Sequence, residues 1–399
     1  MVVSEWIWYF LFAVITFYLL FIAYKLVHEI RFRRKIFIAM PELLWQHQSP
    51  GPEAEILQEI FLAGDFGNVA PDGNDPVLKA LRAELQKSTQ KSTLIFLGDN
   101  VYPVGLPPEG STRRAAAEKK LQQQINLVTE TNCRAIFLSG NHDWNKGREN
   151  GLEQLLRQEK FVTDRLGPVF LPSCGCPGPE LIEVNEQLAI LVLNTQWWVQ
   201  RGNRPIGKAM GCKAETEKEV FANLIRILDE NSHRRILIAA HHPLYSNALH
   251  GGKHTIKHHV FPLTAAHKKL YVPLPMAGSL YPIYRRLFGA YEDMSHPRYK
   301  RMRKKLLRIL QSHKNIVYAA GHDHNLQHFR HKGNHFLISG SASKTAYVRK
   351  GGKASFTHEH LGFMKLCYYA NGEAWLTVLE PDLTKEKGET NVVYKSKLM

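Results

Sequence analysis

Five short motifs hold the residues of this chain best suited to chemistry: Gly64-Asp65-Phe66-Gly67, Gly98-Asp99-Asn100-Val101-Tyr102, Gly140-Asn141-His142-Asp143, His241-His242-Pro243 and Gly321-His322-Asp323-His324. Singly each is ordinary, since Gly-Asp after an apolar run is commonly a turn and a lone histidine is commonly a core residue. Together they supply carboxylate oxygens, an amide oxygen and imidazole nitrogens, which suit zinc, manganese or iron. A carboxylate shared by two ions about 3.5–4 Å apart is used for in-line attack at phosphorus. The set predicts a dinuclear metal centre and phosphoryl chemistry.

Each motif ends or follows a short apolar run: IFLAGD, LIFLGD, AIFLSGNHD, ILIAAHHP and IVYAAGHDH, with LAILVLN and HFLISGS as further runs. Runs this short and uniformly apolar read as strands buried on both faces. Between them DPVLKALRAELQK and KEVFANLIRILDE carry helical patterning. Strands alternating with helices predict an α/β fold with a mostly parallel sheet. Ligands of such sheets bind outside the carboxyl ends of the strands, where the motifs stand.

The 399 residues are 44% hydrophobic and 22% charged, which excludes a disordered chain or a low-complexity fibre. Fifty-two Lys and Arg against 36 Asp and Glu give a formal charge of +16, which favours anionic partners without choosing among phosphates, nucleic acid and acidic lipid. Five cysteines are too few for a disulfide scaffold.

Trp6 to Tyr24 is an uncharged run of 19 residues, roughly 28 Å as a helix and close to the ~30 Å hydrocarbon core of a bilayer. No A-x-A-like cleavage site follows, so an uncleaved single-pass anchor is expected. Lys25, Arg31, Arg33, Arg34 and Lys35 follow the span and no Lys or Arg precedes it, which by the positive-inside rule puts the following domain in the cytoplasm. Cys174, Cys176 and Cys212 lie in Gly/Pro-rich loop sequence, where a disulfide outside the cytoplasm and reduced loop thiols are both open. Extracytoplasmic placement therefore also stays open.

The ordered motifs resemble those of the calcineurin-like metallophosphoesterases over roughly residues 56 to 345. They are closest to the purple, or tartrate-resistant, acid phosphatase branch. Gly-Asp-Phe-Gly lacks the histidine that other branches place two residues after the aspartate, and Gly-Asp-Asn-Val-Tyr sets Tyr102 where purple phosphatases hold their ferric tyrosinate. The resemblance implies a four-layer sandwich of mixed sheets flanked by helices, preceded by the transmembrane helix. It implies two metal ions, Fe(III) with a divalent Fe, Zn or Mn. The first ion would take Asp65, Asp99, Tyr102 and His324, and the second Asp99, Asn141, His241 and His322. His142, beside Asn141, is then the candidate proton donor to the leaving group, oriented by Asp143, and His250 matches a second active-site histidine. Asn100 and His242 are candidates for substrate contact, with packing as the alternative for His242.

The expected organisation is an anchor with its basic flank over 1–35, a linker over 36–55, a phosphoesterase domain over 56–380 with an insertion at 250–314, and a loose polar tail over 381–399. The insertion reads as a lid, an apolar-basic membrane patch or a peripheral subdomain. Trp197 and Trp198 either line the cleft or pack. The expected function is a membrane-anchored phosphoesterase in which metal-activated hydroxide attacks a phosphorylated small molecule, a phosphomonoester. Phosphodiester or nucleotide hydrolysis on the same centre and a non-catalytic metal-stabilised scaffold are the alternatives. Nucleic acid is not favoured as a partner, and no obligate protein partner is evident.

Overall fold

A run of apolar residues with no polar face must be covered on both sides, and the computed structural model of the chain does this with layers. It describes residues 2–51, 54–70, 72–88, 92–267, 269–385 and 387–399. The strands among them are β1 (Phe37–Ile38), β2 (Ile56–Ala63), β3 (Ser92–Phe96), β4 (Arg134–Phe137), β5 (Glu180–Asn185), β6 (Leu188–Val192), β7 (Arg235–Ala239), β8 (Ile316–Ala320), β9 (Leu326–His331), β10 (Asn334–Ser339), β11 (Ala354–His358), β12 (Phe363–Tyr369), β13 (Ala374–Pro381) and β14 (Thr390–Lys397). The helices are α1 (Val2–Phe32), α2 (Pro76–Lys87), α3 (Arg114–Thr131), α4 (Gly151–Leu166), α5 (Gln196–Val199), α6 (Glu217–Glu230), α7 (Ile256–Val260), α8 (Leu280–Leu287) and α9 (Pro297–Leu310).

The strands form a six-stranded sheet, β14-β13-β12-β2-β3-β4, and an eight-stranded sheet, β1-β11-β9-β10-β8-β7-β6-β5. β2, β3 and β4 run parallel, as do β6, β7, β8 and β10, and antiparallel strands complete both sheets. Because strand side chains alternate between faces, each sheet feeds two apolar layers. Ile60, Leu62, Ile95 and Leu97 meet Leu237, Ala239, Val317 and Ala319 between the sheets. Phe61, Leu94 and Phe96 face α2, α3 and α4, while Ile236, Ile238 and Ile316 face α6 and α9. The result is four layers, helices–sheet–sheet–helices, with mixed sheets, as the family resemblance implies. Local signals agree: Asp75 caps α2 by accepting from the backbone N–H groups of Val77 and Leu78, with Pro76 at the first turn. Trp197 and Trp198 are buried in the outer core, so packing is their role.

The structure corrects three boundaries. The segment after Glu380 is not a loose end: β14 pairs antiparallel with β13. Only Tyr394 and Ser396 of its second half turn fully inward while Lys397 faces out, so its composition hides a strand. Within 36–55, β1 pairs with β11, extending the eight-stranded sheet where a free linker is expected. In the 250–314 insertion, α9 is a core helix that buries Tyr299, Met302, Leu306, Leu307 and Leu310. The apolar stretch Glu5–Phe32 is long and apolar enough to cross a membrane; no residue of its most apolar 18-residue window is buried, whereas Glu29 near its end is.

Tyr394 is fully buried, with its ring stacked on Phe356 at 4.6 Å. Tyr394→Ala is expected to lower unfolding stability by about 3–5 kcal/mol, read as the denaturation midpoint of the detergent-solubilised protein. An unchanged midpoint would mean that β14 adds nothing.

Candidate metal centre

The five motifs stand at the carboxyl ends of five parallel strands, three from one sheet and two from the other. Asp65 follows β2, Asp99 follows β3, Asn141 follows β4, His241 follows β7 and His322 follows β8. Hydrogen bonds stitch the sheets together here. Gly64 N–H donates to Ser339 O at 2.7 Å, His322 N–H donates to an Asp65 carboxylate oxygen at 2.7 Å, and His241 Nδ1 lies 2.8 Å from Leu97 O. Asp65, Asp99 and His322 adopt φ of 59°, 56° and 71°, a left-handed conformation unusual for side chains with a Cβ. The turns need glycines. A Cβ on Gly98 would lie 2.6 Å from Gly140 N, and one on Gly140 would collide with the Asp99 carboxylate.

Two groups of donors face each other across Asp99. In the first, Tyr102 Oη is 2.7 Å from Asp65 Oδ1, 2.9 Å from Asp99 Oδ2 and 3.1 Å from His324 Nε2. In the second, Asn141 Oδ1 lies 2.9 Å from His241 Nε2 and 3.0 Å from His322 Nδ1. Asp99 Oδ1 points to this second group, 3.6 Å from His241 Nε2. Each oxygen of one carboxylate thus serves one group, the arrangement a bridging ligand needs. Donor atoms of Asp65, Asp99 and His241 lie within 4.8 Å of one another, close enough to hold an ion. Asp65 and Asp99 are 0% and 1% exposed, and buried carboxylates this close need positive charge between them. Burial and the charges of Asp65 and Asp99 push the Tyr102 hydroxyl well above its ordinary pKa.

His142 adjoins the first group, with its ring edge-on to Tyr102 at 4.3 Å. Its Nδ1 lies 2.6 Å from Pro103 O, which only accepts, so Nδ1 carries a proton and Nε2 faces Asp99 at 3.8 Å. His250 stacks on His322 at 4.1 Å, and its Nδ1 is 3.0 Å from Asp293 Oδ1. Burial opposes the charge on His250, but Asp293, Asp323 and Glu292 outweigh it and raise its pKa to about 9.

Three candidate roles are corrected. Asp143 does not touch the His142 ring. Its carboxylate accepts the backbone N–H groups of Asp99 (2.9 Å), Asn100 (3.0 Å) and Gly140 (2.8 Å) and the Gln158 side chain (2.8 Å), tying the turns after β3 and β4 to each other and to α4. Asn100 is fully buried and its side-chain amide donates to Leu138 O, which braces the turn. His242 is also fully buried, between Tyr299 and His322, with Nδ1 2.9 Å from Thr195 Oγ1.

Sequence reasoning missed the contribution of the insertion. Glu292 Oε1 accepts from Asn141 Nδ2 at 2.7 Å, and its backbone oxygen is 3.0 Å from His322 Nε2. Asp293, which holds His250, is itself gripped by Arg285. Glu292 and Asp293 are the only acidic residues between 250 and 314, a signal that charge counting within the insertion would have found. Also missed was Lys344, whose ammonium lies 2.9 Å from the Tyr102 ring centroid. Burial lowers its pKa to about 8 against the pull of Asp99 and Asp65. With Lys120 it lines a cavity of about 720 Å³ that opens onto Tyr102 and His324.

Asp143→Asn turns an acceptor into a donor facing N–H groups. We expect a loss of roughly 2–4 kcal/mol of stability, read by denaturant unfolding, together with lost metal content. Unchanged unfolding with activity alone abolished would return Asp143 to a direct role.

With the geometry described, three comparisons place the chain. A search of curated proteins finds no match. Among solved structures the fold is similar to that described as "GAP50 the anchor in the inner membrane complex of Plasmodium", at 16% identity, covering 86% of this chain and 89% of that one, with a TM-score of 0.53. It is also similar to a structure of PhoD, at 10% identity, 87% and 71% coverage and a TM-score of 0.50. At such identities the likeness is one of fold. The family model for calcineurin-like phosphoesterases matches residues 59–326. That match spans about two thirds of the sequence and includes all five motifs, and the chain belongs to the calcineurin-like phosphoesterase family.

Proposed function

We propose that the chain is a dinuclear metal-dependent phosphoesterase, held at a membrane by α1, that hydrolyses phosphomonoesters. The observation that carries this reading is the Tyr102 hydroxyl, within 3.1 Å of Asp65, Asp99 and His324 at once. A neutral phenol has one proton to give and two carboxylates beside it, whereas a tyrosinate sharing a hard cation with them fits the whole donor set. The residues present therefore fit the expected pair of ions. Asp65, Asp99, Tyr102 and His324 would hold Fe(III), and Asp99, Asn141, His241 and His322 a divalent Fe, Zn or Mn. When bound, the ions neutralise phosphoryl oxygens and lower the pKa of water.

The chain's own groups supply the rest. Lys344 and Lys120, on the cavity beside Tyr102, attract the phosphate dianion. Pro103 O fixes the His142 tautomer, leaving Nε2 to carry a proton to the leaving oxygen. Asp293 orients His250 against His322.

A visible absorption spectrum with metal analysis of the detergent-solubilised protein tests the reading. We expect a charge-transfer band that vanishes in Tyr102→Phe. A colourless protein with two equivalents of zinc or manganese would keep the phosphoesterase and remove the ferric site, and a protein that binds no metal would favour a scaffold. His142→Ala is expected to slow hydrolysis of an alkyl phosphate roughly 10²–10⁴-fold and that of an aryl phosphate less, because an acidic phenol leaves without a proton. Turnover of a bis-aryl diester alone would replace monoester hydrolysis with diester hydrolysis.

A second proposal concerns sidedness. A disulfide joins Cys176 to Cys212, which supports an oxidising compartment for the domain. Two of the basic residues behind the span are engaged by the domain: Lys25 donates to His254 O and Arg33 pairs with Glu359. The basic flank thus has a structural use besides orientation. Alkylation of the unfolded, unreduced protein is expected to modify three cysteines, Cys133, Cys174 and Cys367. Modification of all five would return the domain to the cytoplasmic side.

A further inference from the structure

Between α1 and the insertion lies a cavity of about 560 Å³ that none of the candidate metal ligands lines. Its wall on α1 runs from Val14 to Glu29, roughly 20 Å at the helical rise. Polarity is graded along it. Val14, Phe17 and Phe21 of α1, with Met276 and Ile283 of the insertion, form the apolar end. Lys25, His28, Lys253, Arg286 and Arg349 line the other end.

The basic end is preformed for an anion. Glu29 is the single carboxylate in the lining, and its Oε1 accepts from Ile256 N–H at 2.5 Å. Among the described residues, Lys253, Arg286 and Arg349 form no ion pair with a carboxylate. Burial and the charges of Arg349 and Arg286 lower the Lys253 pKa, the mark of cations gathered without a counter-charge. His254 also lines the cavity. It is 3% exposed, and neither ring nitrogen has a hydrogen-bond partner. The Tyr18 hydroxyl, further along the wall, is unpartnered as well. The neutral His254 ring, with one donor and one acceptor nitrogen unmet, and the Tyr18 hydroxyl call for a ligand with a polar part of its own.

The position of the gradient selects the ligand. The uncharged run of α1 ends at Tyr24, so with α1 across a bilayer the basic end lies at headgroup height and the apolar end among the acyl chains. The insertion presents Leu280, Tyr284, Leu287 and Phe288 exposed, an apolar side suited to the same leaflet. We propose that this cavity binds one anionic phospholipid from the surrounding bilayer, with its phosphate among Lys25, Arg286 and Arg349 and its acyl chains along Phe17, Phe21 and Ile283. The proposal rests on the reading of α1 as a membrane span. A free phosphate would satisfy the cations and leave the apolar end without an occupant.

Full-length protein in nanodiscs of phosphatidylcholine with a minor fraction of phosphatidylglycerol, extracted and weighed by native mass spectrometry, tests this. We expect one retained equivalent of phosphatidylglycerol. Retention should fall roughly tenfold in Arg286→Glu/Arg349→Glu. It should also fall in Ile283→Trp, which fills the apolar end, while metal content and aryl phosphate turnover in detergent stay unchanged. Equal retention of phosphatidylcholine would overturn headgroup recognition. If inorganic phosphate displaced the lipid from the extracted complex, the acyl contribution would be wrong. Vesicle flotation separates the two readings: protein that floats without a retained lipid sinks the cavity proposal alone, and protein that does not float sinks the anchor with it.

Discussion

Both donor groups meet at one carboxylate, and much of the surrounding structure serves to hold Asp99 in place. Its two oxygens look in different directions, one toward Tyr102 and the other toward His241 and the His142 amide. Placing a carboxylate so deep in protein is costly unless its lone pairs are met. Each nearby feature contributes to that. The left-handed backbone at Asp99 turns the side chain inward, Gly98 and Gly140 clear the space beside it, and Asp143 fastens the turns after β3 and β4 together. The fold below is a means of gathering five strand ends from two sheets around that group.

What could be read from the sequence followed a physical divide. Asp65, Asp99, Asn141, His241, His322 and His324 each end an apolar run, so strand periodicity and residue type locate them together. The structure brings these residues to one place. Asn100 and Asp143 sit inside the same motifs, yet their side chains turn to backbone groups, and spacing alone cannot distinguish a residue facing a ligand from one facing a turn. β14 was missed because an edge strand needs only alternate residues inward, and Tyr394 and Ser396 are too few to register as an apolar run.

The insertion was hardest to read. Glu292 and Asp293 reach Asn141 and His250 from a segment whose composition is otherwise basic and apolar. Long-range contacts of this type leave no periodic trace, and charge scarcity is the one local sign. The consequence is that part of the site's architecture belongs to a segment outside the shared motifs. Arg285 grips Asp293, Asp293 holds His250, and His250 lies on His322, a chain of contacts running from the insertion to the β8 strand end.

The short passage from α1 to β1 has a mechanical meaning. α1 ends at Phe32 and β1 begins at Phe37, so few residues separate the helix from a strand already hydrogen-bonded into the sheet. Lys25 and Glu29 are fastened to the insertion a turn or two earlier. A head joined in this way cannot swing on a tether. With α1 in a bilayer, the mouth of the site keeps a fixed height and tilt above the lipid.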